Sequence, residues 1–187
     1  MGRVAIYRTQ VMPEWIDYNG HLRDAYYSLI VSLACDALMD RVGLDEAYRA
    51  RTRCTLYTLE MHMHFLREVK GTDTVDVSVR ILGLDRKRIH AAFDMWCGAA
   101  SAPAASAELM LLHVHQGDDV KSQAFPTEVA EALERLRQES GGGPEATGAP
   151  NAAGAANTGG TPNAAGTPGT ASAPEPIPGS RRMELRV

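Results

Sequence analysis

Between Trp15 and Tyr27 the sequence reads WIDYNGHLRDAYY, and a carboxylate, an amide, a glycine and an imidazole all fall within the five positions from Asp17 to His21. Asp and Asn ahead of Gly favour a tight turn, and the apolar spacing that starts after Asp24 puts this turn at the N-terminal end of a helix. Backbone N–H groups and the dipole at such an end stabilise a developing oxyanion. A carboxylate beside them can take a proton from water or attack a carbonyl. That combination suits acyl transfer or hydrolysis. The same residues would also serve a turn that only caps a helix.

Three other groups have chemistry to offer. Glu60 sits inside the strand-like TLEMHMHFL; a carboxylate there either pairs with an arginine or faces a substrate cleft. Arg86, Lys87 and Arg88 make a small basic cluster at a connector, which is either a solvated turn or a holder of phosphates. His62 and His64 share a strand face, Glu68 follows, and His113 with His115 repeats the H-x-H spacing. H-x-H-x-x-x-E resembles the first metal motif of cupins, but the glycine that should precede it and a second Gly-Pro-rich motif are missing. Cys35, Cys54 and Cys97 are odd in number and far apart, which fits reduced buried thiols rather than a disulfide framework or a zinc site.

The elements that would position these groups are legible. Residues 3–11 read as a strand. Tyr26, Ile30, Leu33, Ala34, Ala37 and Leu38 recur at helical spacing, and Leu29, Val31 and Met39 widen the apolar surface, so the helix over 24–42 is expected to be buried on most sides. Gly43 suits its end, and LDEAYRAR a short second helix or turn. Four β-like runs follow, at 53–67, 73–84, 87–97 and 106–115, with short connectors that favour antiparallel neighbours. In TVDVSVRIL, Val75, Val77, Val79 and Ile81 share one face and Asp76, Ser78 and Arg80 the other. The expectation is an α+β architecture: an antiparallel β-sheet wrapped around one long central helix. TEVAEALERLRQE, 127–139, reads as an amphipathic surface helix with Thr127 as its cap.

The folded domain is expected over 1–139. Residues 140–178 are Gly, Ala, Pro, Thr, Asn and Ser with almost no charge, and APNAAG returns as TPNAAG, so they read as a low-complexity flexible linker, followed by a short tail at 179–187. A net charge of −4 with scattered cations gives no field for nucleic acid. No apolar run reaches the length of a membrane span, and the first residues read as a strand rather than a signal peptide, so cytoplasm is the expected location. A small sheet covering one side of a helix leaves an edge to pair, which predicts a homodimer or homotetramer.

The string DYNGHLRDAYY resembles the D-x-N-G-H-x-N-N-x-x-Y signature of hotdog-fold acyl-CoA thioesterases, the 4-hydroxybenzoyl-CoA thioesterase-like group, over about residues 3–116. PEWIDYNGH, ACDALMDRVGLDEAYR, CTLYTLEMH, FLREV and ELMLLHV are similar more narrowly to betainyl-CoA thioesterases of carnitine breakdown, which also occur fused to carnitine dehydrogenases. The resemblance implies a hotdog fold and an acyl-CoA substrate, with no metal and no cofactor, since coenzyme A is part of the substrate. It implies that Asp17 is the catalytic carboxylate, as general base or nucleophile, and that Gly20 and His21 form the turn whose backbone approaches the thioester carbonyl. Asn19 and Tyr27 would lie beside them. Arg23 departs from the signature, standing at the first position of its Asn pair, and Asp24 stands at the second. If the acyl group is betainyl, Trp15, Tyr18, Tyr26 and Tyr57 are the aromatics expected to hold its trimethylammonium, with Glu60 adding charge; Trp96 is expected in the core. The basic cluster Arg86–Lys87–Arg88 would meet the CoA phosphates. The other readings are a non-catalytic acyl-CoA-binding protein on the same fold and a cupin-like metal protein.

Overall fold

The computed structural model describes residues 3–141; apart from Ser140 and Gly141, the linker and tail expected from the sequence lie outside the described residues. Strand β1 (Val4–Gln10) leads through a single 3-10 turn (Pro13–Trp15) and the Asp17 turn into α1 (Asp24–Arg41). A short α2 (Glu46–Thr52) precedes β2 (Cys54–Phe65), β3 (Thr74–Leu84), β4 (Arg88–Cys97) and β5 (Ala105–His115). The two-residue β6 (Lys121–Ser122) and α3 (Thr127–Glu139) complete the described part.

The sheet is antiparallel, in the order β1-β3-β4-β5-β2. Its inner face is the valine face of β3: Val75, Val77, Val79 and Ile81 are fully buried, with Phe93 and Leu109 from the next strands. Each such side chain contributes about 1.5–3 kcal/mol through burial. The outer face carries the alternate residues, where Asp94 accepts from Arg80 Nε at 3.2 Å and from Ser106 Oγ at 2.7 Å.

Helix α1 lies on the inner face. It buries Tyr27, Ile30, Val31, Ala34, Cys35, Leu38 and Met39, one stripe at three- and four-residue steps. The expected burial on most sides does not occur: Leu29 stays 39% exposed, because a single sheet covers a helix from one side. The helix ends as its glycine predicts. Gly43 adopts a left-handed φ of +86°, and the N–H groups of Gly43 and Leu44 donate back to the carbonyls of Asp40 and Met39.

Two details differ from the sequence reading. Thr127 does not cap α3; it is the first helical residue, after a Pro126 that makes no side-chain cap bond. The helix is also more than a surface element, since Val129, Leu133 and Leu136 enter the core. Strand β6 is new, and it pairs with Val114 and His115 where β4 has already ended opposite Leu112.

Candidate active site

Residues Ile16–Leu22 form a miniature hairpin. Ile16 and Leu22 make an antiparallel bridge, Gly20 N–H donates to Asp17 O at 3.1 Å, and Asp17 N–H donates to His21 O at 2.8 Å. Gly20 holds φ +82°, the left-handed position that follows a tight turn in a bulged hairpin and that glycine occupies without strain. Asp17 Oδ1 accepts from the N–H groups of Asn19 (2.8 Å) and His21 (3.0 Å). These bonds, His21's first, hold the Asp17 carboxyl below the usual carboxylate range, against a smaller opposing effect of desolvation. Asp17 is therefore ionised at neutral pH, with its orientation fixed by Oδ1, and Oδ2 has no protein partner among the described residues.

Leu22 N–H donates to Val69 O, Arg23 N–H to Trp15 O, and His21 bridges to Lys70. The turn is thereby tied to the loop between β2 and β3. The Arg23 side chain folds back to the Ile16 carbonyl at 3.4 Å, so its charge lies along the turn. His21 Nε2 meets Glu68 Oε2 at 3.1 Å. Beside this pair opens a cleft of about 360 Å³, lined among others by His21, Asp24, Tyr27, Phe65, Arg67 and Glu68. Helix α1 begins at Asp24, so its N-terminal dipole points at the cleft.

The structure brings together only part of the expected set. Asp17, Asn19, Gly20, His21 and Tyr27 share this corner. The N–H groups of Asn19, Gly20 and His21 are all engaged by Asp17. Trp15 and Tyr26 stack on one another at 5.4 Å and pack against the core. Tyr18 projects into solvent, 94% exposed. Glu60 lies opposite Met110 on the outer face of β2 and is exposed, away from the cleft. Tyr57 accepts a hydrogen bond from Gln116, nearer the other end of that strand. Trp96 is an outer-face residue, donating to Ser78 Oγ at 2.9 Å with the Arg3 guanidinium 3.7 Å above its ring.

The basic cluster is not at this corner of the protomer. Arg86, Lys87 and Arg88 lie at the β3–β4 turn, separated from the Asp17 end by the length of β3, about 3.3 Å per residue over its 11 residues. Arg88 pairs with Asp85 at 2.6 Å and Lys87 donates to Ser122, while Arg86 is exposed. The histidines disperse as well. His62 and His64 face outward on β2, whereas His113 is fully buried between Tyr48 and Gln123. Among the described residues no group of three His, Cys, Asp or Glu side chains is placed to hold a metal.

Phe65, Arg67 and the pairing role of Glu68 were not anticipated. Their signal was positional: they lie at and just past the end of β2, and only the pairing of Val69 and Lys70 with Leu22 and His21 shows that this end meets the Asp17 turn.

Comparison with known proteins shows the family and the fold. The model of the thioesterase-like superfamily matches residues 11–133. The chain is 46% identical over 132 residues to a betainyl-CoA thioesterase of Pseudomonas aeruginosa, covering 71% of this chain and 82% of that protein. It is 35% identical over 144 residues to an L-carnitine dehydrogenase/betainyl-CoA thioesterase of Agrobacterium fabrum, of which the match spans 28% and 75% of this chain. Among solved structures, a candidate thioesterase from Pseudomonas putida KT2440 superposes with a TM-score of 0.67 at 38% identity, over 84% of this chain and 97% of that one. A Staphylococcus aureus protein in complex with CoA gives 0.69 at 26% identity, over 80% and 92%. The fold is that of the hotdog thioesterases, which sets the cupin-like reading aside.

Proposed function

This chain belongs to the thioesterase-like superfamily, and we propose that it hydrolyses a short-chain acyl-CoA, betainyl-CoA, to glycine betaine and CoA. The observation that carries the reading is an ionised Asp17 fixed by its own turn, the same turn whose His21 lines a cleft together with Asp24 at the start of α1. A thioester carbonyl laid in the cleft with its oxygen toward that end would gain charge as the tetrahedral intermediate forms, where the helix dipole favours it. Asp17 would either take the proton from an attacking water or attack the carbonyl itself, in which case water cleaves the resulting anhydride. Both routes expel the CoA sulfur, which leaves as a thiol once protonated. The 46% identity to a betainyl-CoA thioesterase supports the acyl group.

The working unit in this reading is a homodimer, with a tetramer as its doubling. β2 is an edge strand of 12 residues, and Leu59 and Met61 on it are 51% and 36% exposed. A long apolar edge of this kind is an invitation to pair. A two-fold axis that pairs β2 with its copy runs the strands antiparallel, so the Cys54 end of one lies beside the Phe65 end of the other. The partner's β3–β4 turn then approaches the Asp17 corner, where its exposed arginine could meet CoA phosphates. The three cysteines are free, which agrees with action in the cytoplasm; no helix among the described residues is long and apolar enough to cross a membrane.

Release of free thiol from a panel of acyl-CoAs tests the activity, and betainyl-CoA is expected to give the highest kcat/KM. No release from any acyl-CoA, with binding retained, would favour a non-catalytic acyl-CoA-binding protein. Light scattering tests the assembly: the protein is expected at twice or four times its chain mass, and Met61→Lys to shift it toward the monomer.

A further inference from the structure

The cleft beside Asp17 has an unusual balance of charge for a site that must admit a polyanionic coenzyme. Two carboxylates, Asp24 and Glu68, line it. The arginine in its wall is turned elsewhere, because Arg67 donates to the carbonyls of Ala102 and Pro103 on the neighbouring loop. Asp24 Oδ1 is engaged by the Ala25 N–H at 2.8 Å, in the first turn of α1. The Glu68 side chain is 70% exposed and is held over the cleft by His21. Two rings complete the wall. Tyr27 and Phe65 meet edge to face with centroids 5.1 Å apart; Tyr27 is buried, while Phe65 is 55% exposed and presents ring surface to the cleft.

We propose that Glu68, together with the rings of Phe65 and Tyr27, is the subsite that selects a quaternary ammonium on the acyl group. The proposal rests on the reading of the chain as a short-acyl-CoA thioesterase and adds to it the residues that choose the acyl group. A trimethylammonium carries no N–H, so a wall of hydrogen-bond acceptors has nothing to accept from it. What attracts it is a carboxylate at van der Waals distance and the negative faces of aromatic rings. A neutral branched chain of the same shape gains only the apolar contact, and it must partly desolvate the carboxylate to make it. Glu68 lies three residues past Phe65 and reaches the Asp17 turn through His21, so the subsite adjoins the turn that carries the proposed catalytic carboxylate.

The readout is the ratio of kcat/KM for betainyl-CoA to that for 3,3-dimethylbutyryl-CoA, its uncharged isostere, in the full-length protein. The wild type is expected to favour the cation, and Glu68→Gln, which keeps size and a hydrogen-bond acceptor for His21, to lower the ratio roughly fivefold to tenfold. Phe65→Leu, which keeps the apolar contact, should lower it about threefold. If Glu68→Gln reduces both substrates equally and leaves the ratio unchanged, Glu68 only orients His21 and the proposal is wrong. A wild-type ratio near one would remove the cation subsite and leave the thioesterase reading standing. Absence of thiol release from both would overturn that reading and the subsite with it.

Discussion

The two ends of the sheet handle polar groups in opposite ways. At the Asp17 end, backbone donors are tied up within one turn by one carboxylate oxygen, and the imidazole of that turn, paired with Glu68, lines an open cleft at the start of α1. At the other end, the polar groups are closed on one another and buried. His113 is fully buried, with Nδ1 2.9 Å from Gln123 O and Nε2 3.0 Å from Tyr48 Oη. A carbonyl can only accept, so Nδ1 carries the proton and Nε2 accepts from the tyrosine hydroxyl. Phe125 packs against the same imidazole at 5.0 Å. Neither end resembles the other in sequence, yet both contain a histidine beside an aromatic. What separates a site from a staple is whether the polar atoms end on each other or on open space.

The comparison can be broken most sharply at Asp17. Asp17→Asn keeps the acceptor that closes the turn but removes the base, so turnover of the acyl-CoA should fall about 10²–10⁴-fold while thermal melting is nearly unchanged. Near-normal turnover in that variant would remove Asp17 from the chemistry.

The second break is the reverse. His113→Ala should lower stability by about 2–4 kcal/mol in urea unfolding, because it leaves a cavity and two buried partners unpaired, while kcat per folded molecule changes little. A large loss of activity without a loss of stability would mean that this end communicates with the cleft.

The third contrast is in pH. Burial pushes the His113 imidazole below its ordinary 6.5. The unfolded chain therefore binds that proton first, and this group's contribution to stability is intact above about pH 6.5 and declines as pH falls below it. Asp17 is held below the usual carboxylate range and stays ionised through that window. Urea midpoints measured from pH 7.5 to pH 5 should decline in the wild type, and the decline should be shallower in His113→Gln. Equal slopes would show that His113 does not titrate with unfolding.

The smallest expected effect belongs to the cap of α2. Asp45 accepts from the Tyr48 N–H at 2.7 Å and so starts the helix that carries Tyr48 to His113. Asp45→Ala should cost about 1 kcal/mol, and pairing it with His113→Ala in a double-mutant cycle should reveal coupling if the cap positions the tyrosine.

Much of this was written locally. The alternation of β3, the three- and four-residue stripe of α1 and the turn chemistry of Asp-Tyr-Asn-Gly depend on neighbours in the chain, so the strands, the long helix and the tight turn at Asp17 were legible from residue order and agree with the structure. The thioesterase family was legible for the same reason, since its signature lies within that turn and the first turns of the helix. Residues whose meaning depends on pairing were not. Glu60 and Phe65 both belong to one apolar strand, and only the register with β5, with its irregularity between Thr58 and Glu60, sends Glu60 outward and keeps Met61, Met63 and Phe65 on the inner face. Arg86–Arg88 is a basic turn in any reading, but which end of a sheet a turn occupies is fixed by strand order. Side-chain type and short-range periodicity belong to the sequence; which distant segments share a corner is decided by long-range packing of the sheet on α1, and the cleft at Asp17 exists only through that packing.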